Sequence, residues 1–458
     1  MDKTRALEKE GIGKLMWKFF VPAFIGVIAN ALYNIVDRVF IGQGVGSLAL
    51  SGIGVIFPVM LIVMGFGMLI GVGAGVLVSI RLGERNRDGA EQVLGTTLML
   101  ILIVSTFIVL VVFLIKKPLL ESFGATAETL DYANNYLNII LFGTFFTMPG
   151  YSLNNMIRSE GNARIAMYSM LLSASVNIVL DYLFIMVFKW GVEGAAWATV
   201  ISMFVLFVWV FMHFRSSRSV INLRPELVRF DWSIAKSIIA IGMAPFAMQI
   251  ASSVVQGLAN KMLIKYGGDI AVGAFSIVIS VVSLVVMSVI AINMAAQPII
   301  GFNFGAKVFV RVKKTLRIAL ITATLVSIFA WIFTQFFPEY IIMMFNDEDP
   351  HLLEITLRAI KIITMTFPII GFQIVAGNYF QAVGNAKTAM FLTLLRQVLV
   401  LIPLLFLLPG FYDLDGIWLS FPVSDTVSAL VVMVFMIREW RRLTSLSGPE
   451  LVAETVNP

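Results

Sequence analysis

The chain has no cysteine among its 458 residues, which removes disulfides, thiolate metal sites and a cysteine nucleophile at once. Histidine is almost as scarce: His213 and His351 lie far apart, near expected helix ends, where structural or surface roles are expected rather than metal binding. Charge is scarce as well. Only 13% of residues are charged against 59% hydrophobic, whereas an ordinary soluble domain carries about 25% charge. No charged residue occurs between Arg38 and Arg81, and residues 98–115 read "LMLILIVSTFIVLVVFLI". At about 1.5 Å per residue, such segments cross a hydrocarbon core of roughly 30 Å as helices, so an integral membrane protein is expected. A barrel would instead show weakly alternating strands of about ten residues. The start, "MDKTRALEKEGIGKLMWKFF", lacks the short apolar core and small-residue cleavage site of a signal peptide.

Hydropathy predicts twelve helices, at 14–41, 50–80, 91–116, 130–158, 163–189, 192–214, 234–265, 272–303, 311–336, 351–382, 387–409 and 414–441. With both termini in the cytoplasm of a cell membrane, basic residues sort to the inner side: the N-terminal Lys and Arg, Arg81, Arg85, Arg87, the linker "FRSSRSVINLRPELVRFDWS", "KVFVRVKK", Arg438, Arg441 and Arg442. Outer loops hold the acidic "NDEDP" instead. The net charge of +6 therefore reads as topology and anionic-lipid contact rather than nucleic-acid binding. No required protein partner is evident.

The chain also repeats itself. "RSEGNARIAM" (158–167) returns as "QAVGNAKTAM" (381–390), "VEGAAW" (192–197) returns loosely as "LDGIWL" (414–419), and "GVGSLALSGI" corresponds to "YGGDIAVGAF". The expected fold class is an all-α integral membrane protein with twelve transmembrane helices in two pseudo-twofold-related six-helix lobes: 1–213, a basic linker 214–233, 234–442, and a cytoplasmic tail 443–458. An even helix number per repeat places both lobes in the same orientation, with the axis along the membrane normal. Two such lobes favour a transporter with a central cleft.

Pro22 fifteen residues before Asp37, "YNIVDRVFIGQ", the Gly-rich "GMLIGVGAG" of helix 2 and the paired "GNAR"/"GNAK" turns resemble the multidrug and toxic compound extrusion (MATE) family, over residues 10–442. Within it the chain is similar to the prokaryotic DinF-like and MepA-like types. The resemblance implies an ion-coupled antiporter, not an enzyme, exporting amphipathic and often cationic compounds on a sodium or proton gradient. NorM-type relatives carry a Glu in helix 7 and an Asp in helix 10; here those helices offer Gln256, Asn260, Gln373 and Asn378, so the second lobe lacks the expected acid.

The residues point to the first lobe independently. Asn177 and Asp181 are four apart and share a helix face, while Asp37 and Thr199 fall at a similar depth in the outer half of the membrane. Two carboxylates in one dry chamber cannot easily both ionise unless a cation sits between them, which makes a proton-or-sodium switch. The resemblance matches Asp37, Asn177, Asp181 and Thr199 to the family's coupling residues, with a sodium ion as the one bound metal or cofactor to consider. Alternatives stay open: Asp37 capping or snorkelling at the interface, and Thr199 bonding its own helix backbone. Asn34 lines the cleft or satisfies a neighbouring helix, as Gln256 and Asn260 would in the second lobe; Arg38 snorkels or binds another helix. Arg396 and Asp425 fall at matching depth and are expected to form a structural ion pair, with anion recruitment by Arg396 as the second reading. The "GFGMLIGVGAG" stretch lacks the strand and Lys-Ser/Thr pair of a phosphate loop, so close helix packing is the better account. Pro22, Pro149, Pro298 and Pro368 are expected to bend helices, Pro22 either in step with the charge of Asp37 or as a static kink. With 24 Met and 37 Phe, an adaptable apolar lining for small amphipathic substrates is in keeping with the composition. A lipid-linked or anionic substrate is the alternative function. An intramembrane enzyme would need a nucleophile–base set or metal ligands, and the residues offer neither.

Overall fold

The computed structural model describes residues 3–343 and 350–447, so the acidic residues 347–349 and the tail beyond 447 lie outside the described residues. Those described form helices joined by short turns, with no strand among them. The helices are α1 (Lys3–Lys9), α2 (Ile12–Gly44), α3 (Ser47–Gly83), α4 (Arg87–Ser122), α5 (Leu130–Ser159), α6 (Ala163–Asp181), α7 (Gly191–Arg215) and α8 (Trp232–Gly305), then α9 (Phe309–Phe336), α10 (Pro338–Met343), α11 (Pro350–Ile363), α12 (Phe367–Ala382), α13 (Ala386–Leu394), α14 (Ile402–Leu407) and α15 (Pro409–Leu446). Ten stretches are long and apolar enough to cross a membrane as they stand. The 74-residue α8 is two spans, broken at Gly268 with φ 65° and ψ −165°, a conformation that glycine alone adopts without strain. With α8 divided, and with the 30-residue α5, the described chain has the twelve membrane helices expected.

Most helices outrun their expected limits by a few residues, because hydropathy sees the hydrocarbon core while capped polar turns continue past it. Asn86, for example, caps α4 by accepting from the Gly89 N–H at 2.8 Å. Three expected helices are interrupted. The stretch 163–189 leaves the α ladder after Asp181 and continues as a π-turn, Tyr182–Val187. The stretch 387–409 carries a second π-turn, Leu395–Leu401. The stretch 351–382 breaks at a 3₁₀ turn, Thr364–Thr366, because Pro368 at the start of α12 has no N–H to donate. Pro22 and Pro149 by contrast lie inside α2 and α5, which stay helical through them. The tail expected from 443 begins as helix, since α15 runs to Leu446.

The chain forms two compact units, residues 1–10 with 21–246, and residues 11–20 with the chain from 247 onward. In the first unit α5 is the hub, packed on α3, α4, α6 and α7. In the second, α12 packs on α9 and α15. The glycine-rich stretch of α3 is a packing surface, as expected. A Cβ at Gly73 would stand 2.1 Å from the Ile238 carbonyl oxygen, and one at Gly242 only 1.7 Å from that of Leu69, so backbone meets backbone where α3 crosses α8. Gly242→Ala is therefore expected to destabilise the protein by about 1–3 kcal/mol, read as a lowered melting temperature in detergent. Gly257→Ala, at a glycine with nothing within 4 Å, is the control and should change little.

The linker after α7 is bound down. Glu160, fully buried between α5 and α6, accepts from His213 Nε2 at 2.6 Å, Ser219 Oγ at 2.8 Å, and the backbone N–H of Val220 at 2.9 Å and Ile221 at 3.2 Å, as well as from Asn162. Glu91 of α4 pairs with Arg224 Nε at 2.8 Å and accepts the Asn222 N–H at 3.0 Å. His213 thus has the structural role expected of it. His351 is exposed at the start of α11.

Candidate functional site

The four residues singled out in the first lobe meet at one place. Asp37 on α2 and Asp181 at the end of α6 lie close enough for the carboxyl of Asp181 to feel the charge of Asp37. Asn177, one turn before Asp181, directs its amide Nδ2 at Thr199 Oγ1 on α7, 3.5 Å away. Asp181 is 0% exposed and Asn177 1%, and Asp37 is half-buried. The α-helix ends at Asp181 itself, so its side chain sits where the backbone changes to the wider π pitch. π-turns of this kind gather at functional sites.

Four buried acceptors here have no hydrogen-bond donor: Asp37 Oδ1, both oxygens of Asp181, and Asn177 Oδ1. Native structures leave few such atoms, and each calls for an explanation. Oxygen-only ligands suit a proton or a hard monovalent cation such as sodium, and no group of three or more His, Cys, Asp or Glu stands ready for a metal among the described residues.

Two tyrosines complete the chamber and were not anticipated. Tyr33 lies on α2 one turn before Asp37, and Tyr136 of α5, 2% exposed, stands near Thr199; both are close enough to feel the charge of Asp37 and Asp181. Tyr33 was within reach of sequence reasoning through its spacing of four from Asp37. Tyr136 was not, since nothing in the sequence marks which face of α5 turns toward α7. Asn34 bonds its own helix, donating to the Asn30 carbonyl at 2.6 Å. Arg38 reaches another helix, its guanidinium 5.3 Å from the Phe57 ring of α3.

In the second unit Arg396 and Asp425 are brought together, with Arg396 Nε 2.5 Å from Asp425 Oδ1. Thr366, in the 3₁₀ turn before Pro368, donates to Asp425 Oδ2 at 3.2 Å. Gln256 is exposed and Asn260 half-buried on α8, and neither makes a hydrogen bond among the described residues. Gln373 is buried with its Oε1 unsatisfied, and Asn378 donates to the Ile374 carbonyl at 3.0 Å.

Known proteins match the chain along nearly its whole length. The profile of the MatE family matches residues 22–183 and again 245–407, one copy in each half. The multidrug export protein MepA of Staphylococcus saprophyticus is 27% identical over 439 residues, covering 95% of this chain and 96% of its own. MepA of Staphylococcus aureus strain MRSA252 is 26% identical over the same shares. A crystal structure described as MATE in the bent conformation superposes with a TM-score of 0.91 at 23% identity, covering 98% of this chain and 99% of that one. The twelve membrane helices, the repeated halves and these matches make the chain a membrane transporter rather than an enzyme, and it belongs to the MatE family.

Proposed function

We propose that the chain is a multidrug efflux antiporter of the cell membrane, with both termini cytoplasmic, that exports amphipathic, mainly cationic compounds on a proton or sodium gradient. The observation that carries this reading is the group of four donor-less buried oxygens on Asp37, Asp181 and Asn177. A carboxylate pair held out of water is costly unless a proton or cation joins it. The chamber is thus a device whose charge changes during the cycle. Asn177 and Thr199 complete its oxygen set, with Tyr136 beside them. Coupling requires only that ion and substrate each favour a different conformation. Pro22, lacking an N–H in α2, is the point where that helix bends as the charge on Asp37 changes. The names of the Staphylococcus relatives, both multidrug export proteins, favour varied amphiphiles as cargo. Export of an anionic or lipid-linked compound is the second reading, favoured by the arginine of the second unit.

The test is export of tetraphenylphosphonium from proteoliposomes under an imposed proton or sodium gradient. The native protein is expected to export under one gradient, which names the ion. Asp37→Asn is expected to lower that gradient-driven rate by about 5–150-fold, the range of a typical coupling energy. A variant that exports at the native rate would remove Asp37 from the mechanism.

A further inference from the structure

Arg396 sits at the centre of the span Ala386–Leu407, where an ionisable residue is expensive to keep. It is the second residue of the π-turn Leu395–Leu401, whose wider pitch re-aims side chains relative to an α-helix. Its base is firmly held. Nε donates to Asp425, the Arg396 carbonyl accepts from Ser424 Oγ at 2.8 Å, and Asp425, 3% exposed, is fixed on its other oxygen by Thr366. Its tip is not. Of the five N–H donors of a guanidinium, the four on the terminal nitrogens make no hydrogen bond among the described residues, and the side chain is 26% exposed. Beside it, Gln397 Oε1 is buried without a donor, while its Nε2 reaches Ser252 Oγ at 3.5 Å.

Arg–carboxylate pairs frequently close in two parallel hydrogen bonds, which uses up the outer edge of the guanidinium. Here Asp425 gives one oxygen to Nε and the other to Thr366, and the outer edge of the guanidinium is left for another acceptor. We infer that Arg396 binds the carboxylate or phosphate oxygens of an exported amphiphile, with Asp425 and Thr366 as positioning residues. Because Asp425 already cancels the charge of Arg396, a bare anion would bring an uncompensated charge to mid-membrane. A zwitterion would not, so the substrate class is a zwitterionic amphiphile whose own ammonium offsets its acid. This rests on the chain exporting amphiphiles, and it assigns to Arg396 the recognition of the acid group of such a compound.

Two fluorescent ligands that differ only by a carboxylate test it: Nε-dansyl-lysine and its decarboxylated counterpart, dansylcadaverine. Binding is read by energy transfer from tryptophan to dansyl on the purified full chain in phosphatidylcholine nanodiscs. Arg396→Gln is expected to weaken dansyl-lysine about tenfold, the worth of one charge-assisted hydrogen bond, and dansylcadaverine by less than about twofold. Arg396→Lys, which keeps the charge but not the planar fork, should fall between. Dansylcadaverine binding by each variant reports that it is folded. Equal weakening of both ligands would overturn the inference and make the pair structural. Preference for dansyl-lysine that vanishes in phosphatidylglycerol nanodiscs would give the site to a lipid phosphate, against an exported zwitterion. Failure of the native protein to bind either ligand would count against export of amphiphiles itself, and the inference would fall with it.

Discussion

Asp181→Asn is expected to give a protein that no longer exports against a gradient yet unfolds at a higher temperature than the native chain. Asp181 is fully buried, and neither of its oxygens has a donor. It also lies close enough to a second carboxylate, Asp37, to feel its charge. A buried charge without compensation is a debit on stability, and replacing such groups by neutral ones of similar volume typically stabilises by about 1–4 kcal/mol. In a chain of this size that is a rise of several degrees in melting temperature. The opposite signs of the two effects are the diagnostic: a residue kept for its structural bonds would lose stability and activity together. Sodium sharpens the measurement. If the chamber takes sodium, adding the salt raises the melting temperature of the native protein by mass action and leaves that of Asp181→Asn unchanged. A native protein indifferent to sodium but driven by a proton gradient assigns the chamber to protons. A fall in the melting temperature of Asp181→Asn would show that Asp181 is held for packing.

The second large effect lies at the linker. Glu160→Ala is expected to cost about 3–5 kcal/mol, because it strips the acceptor from five donors that are buried or half-buried at once. Both backbone donors, Val220 and Ile221, would then face the interior unpaired, and the segment from Ser216 to Arg229 would detach. Limited trypsin digestion reads this directly, as new cleavage after Arg218 and Arg229 in the variant under conditions where the native chain resists; Arg224 is followed by Pro225 and is not a trypsin site. Glu160→Gln keeps the shape but turns an amide N–H toward those donors, so an intermediate loss is expected. Trypsin patterns identical to the native one would mean that Glu91 alone holds the linker, through Arg224 and the Asn222 N–H.

Asp37 and Asp181 were legible in the sequence because an acid in an apolar helix is improbable by composition, and a spacing of four fixes Asn177 beside Asp181. The pairing of Arg396 with Asp425 was legible for a similar reason, since depth along a helix converts simply to distance. The break after Asp181 was not. "YLFIMV" is as apolar as any α-helical stretch, and the π-turn follows from how it packs: Phe184 on Trp190 with ring centroids 4.6 Å apart, and Tyr182 on Phe40 at 6.2 Å. Glu160 was hidden too. It stands in a motif that reads as a turn, and its partners His213 and Ser219 lie more than fifty residues away in sequence. Local pattern cannot find a bond closed at that range, and for the same reason nothing in the basic linker marked Ser219, Val220 and Ile221 as its partners.

The polarity of α5 has a consequence for how the protein is made. Its asparagines leave it outside the described stretches that are apolar enough to cross a membrane as they stand, although it is the hub of the first unit. Segments of that kind partition poorly into lipid when they leave the translocon alone. The helices α3 and α4 are already made when α5 emerges, but α7, which covers the face bearing Gly143 and Gly150, is synthesised some fifty residues later. Until then α5 has only half of its partners. Biogenesis of the first unit therefore waits on α7, and substitutions at the α5–α7 contact, such as Gly143 against Val200, are expected to lower the amount of protein inserted in the membrane more than the activity of each molecule that arrives.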